Sequence, residues 1–190
     1  MKWLGVLMMI VLIQKSEAGL PTAKSVIGEP VVQALMGGCS LRCAFPWETK
    51  VVAPGQGAVV TYDLDDSCAT SAWIDPHAGP GTKLVMRFPK KLPPEYKDNI
   101  PFYGFDIANG KVKPVEEFKR YARVKRLRMS YNGKPVCEIA LADSWKWQHV
   151  TFDDIMANQG DVVTFEILET YPGTEFPNVA ITEFLLQGAH

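Results

Sequence analysis

The chain of 190 residues carries 20 basic and 21 acidic side chains, a formal net charge of −1, and 47% of its residues are apolar. That balance excludes a strongly basic nucleic-acid binder and an acidic, unfolded polymer, and it leaves enough material for one packed core.

The chain opens with Met1-Lys2, runs without a charge over residues 3–13 and reaches Ser16-Glu17-Ala18-Gly19. A basic start, a short apolar run and small residues before the break predict a secretory signal peptide over 1–18. The run is shorter than the roughly 20 apolar residues of a membrane span, so no transmembrane segment is expected. Cleavage removes Lys2, Lys15 and Glu17 and moves the net charge from −1 to −2. The protein is therefore expected to be secreted or periplasmic. Residues 19–36 read as a linker or N-terminal arm, and the folded domain is expected over 37–190.

Cys39, Cys43, Cys68 and Cys137 would then meet an oxidising compartment, where disulfides outrank thiolate metal sites. Four cysteines allow three pairings. The three-residue spacer favours local closure of Cys39 with Cys43, which leaves Cys68 and Cys137 for a second bond.

From residue 37 onward the signals are those of strands. "GAVVTYDL" and "TKLVMRF" are short runs rich in β-branched and aromatic residues, bounded by turn formers. "LRMSY" places Leu127, Met129 and Tyr131 on one face, turns at Asn132-Gly133, and is answered by Cys137, Ile139 and Leu141 in "VCEIAL". "HVTF", "VVTFEIL" and "AITEFLL" complete the series. Only "PVEEFKRYARV" offers a helical turn or two, with Pro114 at its start. Many short strands at this spacing predict an all-β fold, an antiparallel jelly-roll β-sandwich.

Three stretches carry a resemblance. "DDSCATSAWID" at residues 65–75 looks like the acidic loop of discoidin-like, galactose-binding-like domains of the F5/8 type C kind. "GFDIANGKVKPVEEFKRYARVKRLRMSYNGK" and "YPGTEFPNVAITEF" are similar to the middle and the ending of one bacterial branch. Within that fold the chain resembles the translocation, or glycan-binding, domain of secreted NAD glycohydrolases. The resemblance implies a jelly roll and a binding role, with catalysis residing in a separate domain. It also implies a calcium ion between the early acidic loop and the late glutamate, at positions Asp66, Ser71 and Glu183 here. Hard oxygen ligands suit that ion. Two departures weigh against it: the loop glycine is Ser67 and the second acid is Cys68. The alternative is that Glu183 accepts backbone N–H groups of the loop and fastens the chain's end to its beginning. Period two places Ile181 and Glu183 on one face, and an acid on that side needs such a partner.

Candidate contacts come next. Trp145 and Trp147 in "SWKWQHV" share a side of an extended strand, and two flat rings beside Gln148 and His149 suit a sugar. The competing reading has one ring packing and the other capping an edge. His77 and Arg87 are further candidate ligand contacts. Residues 111–134 hold nine Lys or Arg and two acids. That excess reads either as a solvated strand face or as a surface for anionic glycans or membranes.

No G-x-S-x-G, H-E-x-x-H or phosphate-binding glycine loop occurs. Adjacent acids such as Asp153-Asp154 would point to opposite faces of a strand. The function expected is a non-catalytic module that binds a carbohydrate or cell-surface ligand and no nucleic acid. The alternative is a structural or protein-partner module accompanying an exported toxin or enzyme.

Overall fold

The computed structural model of the chain describes residues 19–31, 48–61, 64, 66, 68–91 and 100–188. The predicted signal peptide, Cys39 and Cys43 lie outside the described residues. The described chain folds as twelve strands and one 3-10 turn: β1 (Thr22–Lys24), β2 (Val26–Pro30), β3 (Glu48–Val52), β4 (Val59–Val60), β5 (Trp73–Asp75), β6 (Lys83–Arg87), β7 (Ile100–Asn109), the turn at Val115–Glu117, β8 (Arg123–Tyr131), β9 (Lys134–Ala140), β10 (Lys146–Ala157), β11 (Val162–Tyr171) and β12 (Val179–Gly188). They form two sheets, β1-β9-β8-β11-β6-β3-β4 and β2-β10-β7-β12-β5. Every named strand pair is antiparallel except β1 with β9. The predicted antiparallel β-sandwich is observed.

The strands follow from side-chain alternation. Leu127 and Met129 of β8 are fully buried, as are Cys137 and Ile139 of β9. Between them Arg126 and Arg128 face outward and pair with Glu138 across the ladder. Asn132 and Gly133 turn the hairpin with φ of 47° and 78°, the left-handed pair that matches strand twist. Between the sheets, Phe105, Phe165 and Phe184 meet with ring centroids 4.5 to 5.1 Å apart. Full burial of each such ring contributes about 1.5–3 kcal/mol.

The N-terminal arm is part of this sandwich rather than a linker. β1 adds to β9 in one sheet and β2 adds to β10 in the other, with only Ser25 between them. Ser25 Oγ donates to Gln148 Oε1 at 2.8 Å, and the Ser25 N–H donates to the Ala140 carbonyl. The arm thus straps one side of the two layers together.

Candidate ligand site

One end of the sandwich gathers the C-terminal ends of β3 and β5 and the N-terminal ends of β6 and β12. Two turns of different chemistry stand there. In Ala53-Pro54-Gly55-Gln56 the Gln56 N–H donates to the Ala53 carbonyl at 3.0 Å, and Gly55 takes φ 73°. Proline second and a positive-φ glycine third make a tight turn that carries the chain into β4. In Asp75-Pro76-His77 the aspartate side chain accepts the His77 N–H at 2.7 Å, and the Ala78 N–H donates to the Asp75 carbonyl. Aspartate followed by proline closes its own turn in this way.

Between these turns lies a groove of about 200 Å³ lined by Val51, Ala53, Gln56–Val59, Asp75 and His77. Its floor is buried, with Val51 at 3% and Ala53 at 4% exposure, whereas Val59 is 62% exposed on its wall. His77 is exposed and Asp75 half-buried. His77, predicted as a contact, therefore stands on a concave surface. Asp75, Gln56 and Val59 were not predicted with it, although the Pro-Gly and Asp-Pro turns that present them are legible as turns.

The other predicted contacts do not join His77. Arg87 lies at the far end of β6, opposite Glu48, about 13 Å along the strand from the groove end, and its guanidinium donates to the Gly160 carbonyl. Trp147 is 93% buried in a second apolar cluster with Val31, Ala69, Ala108, Val112, Phe118 and Leu185, and Trp145 packs against it. As for the two readings of this pair, the arm and the loops before β5 and β8 pack over Trp147, and Trp145 is half-buried beside it. Gln148 is buried and bonded to Ser25 and to Ala142, and His149 Nδ1 meets Asp106 Oδ1 at 2.6 Å. β10 is also separated from β5 by two strands, β7 and β12.

The acidic loop sits against the last strand, β12. The Cys68 N–H is shared between Asp66 Oδ1 and Glu183 Oε1, each at 2.8 Å, and the Ser71 hydroxyl lies 2.7 Å from Asp66 Oδ2. The Phe184 N–H donates to the Leu64 carbonyl beside it. This is the fastening expected of Glu183. Strict period two fails nearby, since Ile181 and Phe184, three residues apart, both enter the main core. As a calcium cage the donor set fits poorly. N–H and O–H donors already point at the carboxylates, and no group of three or more His, Cys, Asp or Glu that could hold a metal occurs among the described residues.

The predicted Cys68–Cys137 bond is absent; both thiols are free. Cys68 is exposed on the loop beside β12, whereas Cys137 is buried on β9 of the opposite sheet. Packed sheets stand about 10 Å apart, beyond the Cα reach of a disulfide. Hydrogen bonds from the Thr70 hydroxyl and backbone, then from Ser71, pull the Cys68 thiol down to about 7. Burial pushes the Cys137 thiol up to about 11.

The basic stretch is largely cancelled from within. Lys111 and Arg120 pair with Glu117, Arg120 also with Glu175, Lys119 and Arg123 with Asp143, Lys125 with Glu169, and Arg126 with Glu138 and Glu169. Glu117 comes from the turn within the stretch itself, three residues from Arg120, and the other acids come from β9, β11 and neighbouring loops.

The family model of the NAD glycohydrolase translocation F5/8 type C domain matches residues 52–187. The chain belongs to this family. No curated protein matches the sequence. The translocation-domain match takes in the groove, the acidic loop and the closing strand β12, while β1 and β2 precede it. The family is one of binding domains, and among the described residues no helix is long and apolar enough to cross a membrane.

Proposed function

We propose that this translocation-domain chain is an exported, non-catalytic module that binds carbohydrate at the groove end of its sandwich. The observation that carries the reading is the groove itself. An apolar floor, an amide from Gln56, a carboxylate from Asp75 and an imidazole from His77 combine in one concavity. Sugar recognition uses this mixture, with C–H faces against apolar surface and hydroxyls against a few polar groups. The reading assigns no reacting group: the short His–carboxylate contact among the described residues, His149–Asp106, is spent beside the arm strand β2. Screening the purified chain against a broad glycan panel tests it: retention of a defined subset is expected, and retention of none contradicts it.

A protein-partner role is the second reading, favoured by the exposure of Val59 and Val60 on the short edge strand β4. An exposed strand edge can accept another chain's strand. Binding to one protein that is unaffected by added sugars would select this reading over the first.

A further inference from the structure

We infer that the groove takes the terminal neutral hexose of a glycan and rejects the corresponding acidic sugar, with Asp75 as the discriminating residue. The inference rests on the carbohydrate reading above. Its volume of about 200 Å³ falls below the roughly 300 Å³ at which pockets for drug-sized ligands begin, so it admits one small ring. Residues 54–60 are all exposed along the rim, which leaves the rest of a glycan free to run into solvent.

The charge pattern decides the class. Among the described residues no Lys or Arg lines the groove, and Asp75 is its one carboxylate. Asp75 Oδ1 is held by the His77 N–H at 2.7 Å, which fixes the carboxylate and leaves Oδ2 to accept a hydroxyl. A second carboxylate brought to this wall would meet a like charge with no cation between them, and such juxtapositions are strongly unfavourable. The basic residues that would favour an acidic glycan lie on β8 and the turn before it, where Glu117, Glu138, Asp143, Glu169 and Glu175 neutralise them. A neutral ring places its C–H face on Val51, Ala53 and Val59 and its hydroxyls on Asp75 and Gln56.

Calorimetric titration of the full chain at pH 7.5 with methyl galactoside, methyl glucoside and the two matching uronates tests this. The expected result is that at least one neutral glycoside binds about 10-fold or more tightly than its uronate, a gap of about 1.4 kcal/mol. Asp75→Asn keeps the acceptor for the His77 N–H and removes the charge, so it should narrow the gap to within about 2-fold. Gly57 lines the groove and a Cβ there meets nothing within 4 Å, so Gly57→Trp adds bulk at the site and should abolish binding without unfolding the chain. Uronate binding equal to or tighter than neutral binding would overturn the assignment of ligand class. Glycoside binding unchanged in Gly57→Trp would overturn this groove as the site while leaving the carbohydrate reading intact. Absence of binding to every probe and to the broad panel would overturn both.

Discussion

Arg123 ties three loops at one point. Its guanidinium is nearly fully buried, bonds Asp143 through Nε at 2.9 Å and Nη2 at 3.1 Å, and donates Nη1 to the Tyr121 and Pro172 carbonyls. Removing one partner of a buried pair costs about 3–5 kcal/mol. Asp143 is 26% exposed, so Arg123→Ala should fall at the low end, near 3 kcal/mol, in denaturant unfolding. Burial raises the Asp143 carboxyl, but hydrogen bonds from Arg123 and Lys119 outweigh it and hold it below the ordinary aspartate value. The sign follows: its contribution to stability is complete above about pH 4, the unfolded value, and drains away as pH falls through the lower folded one. Asp143→Asn should flatten that acid limb. Gly173 explains the Tyr-Pro-Gly signature differently from its usual role in turns, since its φ is not left-handed. A Cβ there would lie 2.2 Å from the Phe176 carbonyl oxygen and 2.5 Å from that of Arg120, so Gly173→Ala should destabilise by up to about 3 kcal/mol. The two free thiols should also separate by reactivity. Alkylation of Cys68 should rise with a midpoint near pH 7, while Cys137 stays unmodified until unfolding.

At the scale of elements, the arm offers a sharper test than any core strand. A Cβ on Gly28 would stand 2.3 Å from His149 Nε2, so Gly28→Ala must displace either β2 or the ring that bonds Asp106. The substitution should cost about 1 kcal/mol, the worth of one hydrogen bond, and much less in a His149→Ala background. Additivity of the two changes in a thermal-unfolding cycle would show that the contact is not felt. The legibility of the elements follows the same physics. β8, β9 and β11 are readable because their residues alternate between core and a more exposed face, whereas β12 is readable as a continuous apolar run whose first eight residues are all buried. β7, the middle strand of its sheet, was missed as a strand: Pro101 and Gly104 interrupt its pattern, and Ala108 on it packs into the second cluster while Phe105 and Ile107 fill the first. Trp145 and Trp147 were placed by periodicity, but spacing alone does not say which surface later loops will cover. β1 and β2 are short, and their Pro and Gly content resembles a linker until Ser25 and Gln148 are seen to meet.

At the scale of the whole molecule, a net charge near zero conceals a strong local excess and its cancellation, by Glu117 within the stretch and by acids from later strands and loops. The distinction has an outcome: the chain should pass through a heparin column at about 0.15 M salt, where surface charges more than about 8 Å apart are screened. Retention there would show that the cross-strand acids leave the basic face available. The rest of the architecture points toward the opposite end of the logic, with β12 locked against the acidic loop and the groove left open between two turns. The most direct test of that picture is an NMR titration of the chain with a neutral methyl hexoside. Amide shifts centred on Gln56, Gly57, Asp75 and His77, with none around Trp145, Trp147 or Arg87, are predicted. Shifts confined to those latter residues, or no shifts at saturating sugar, would contradict the account.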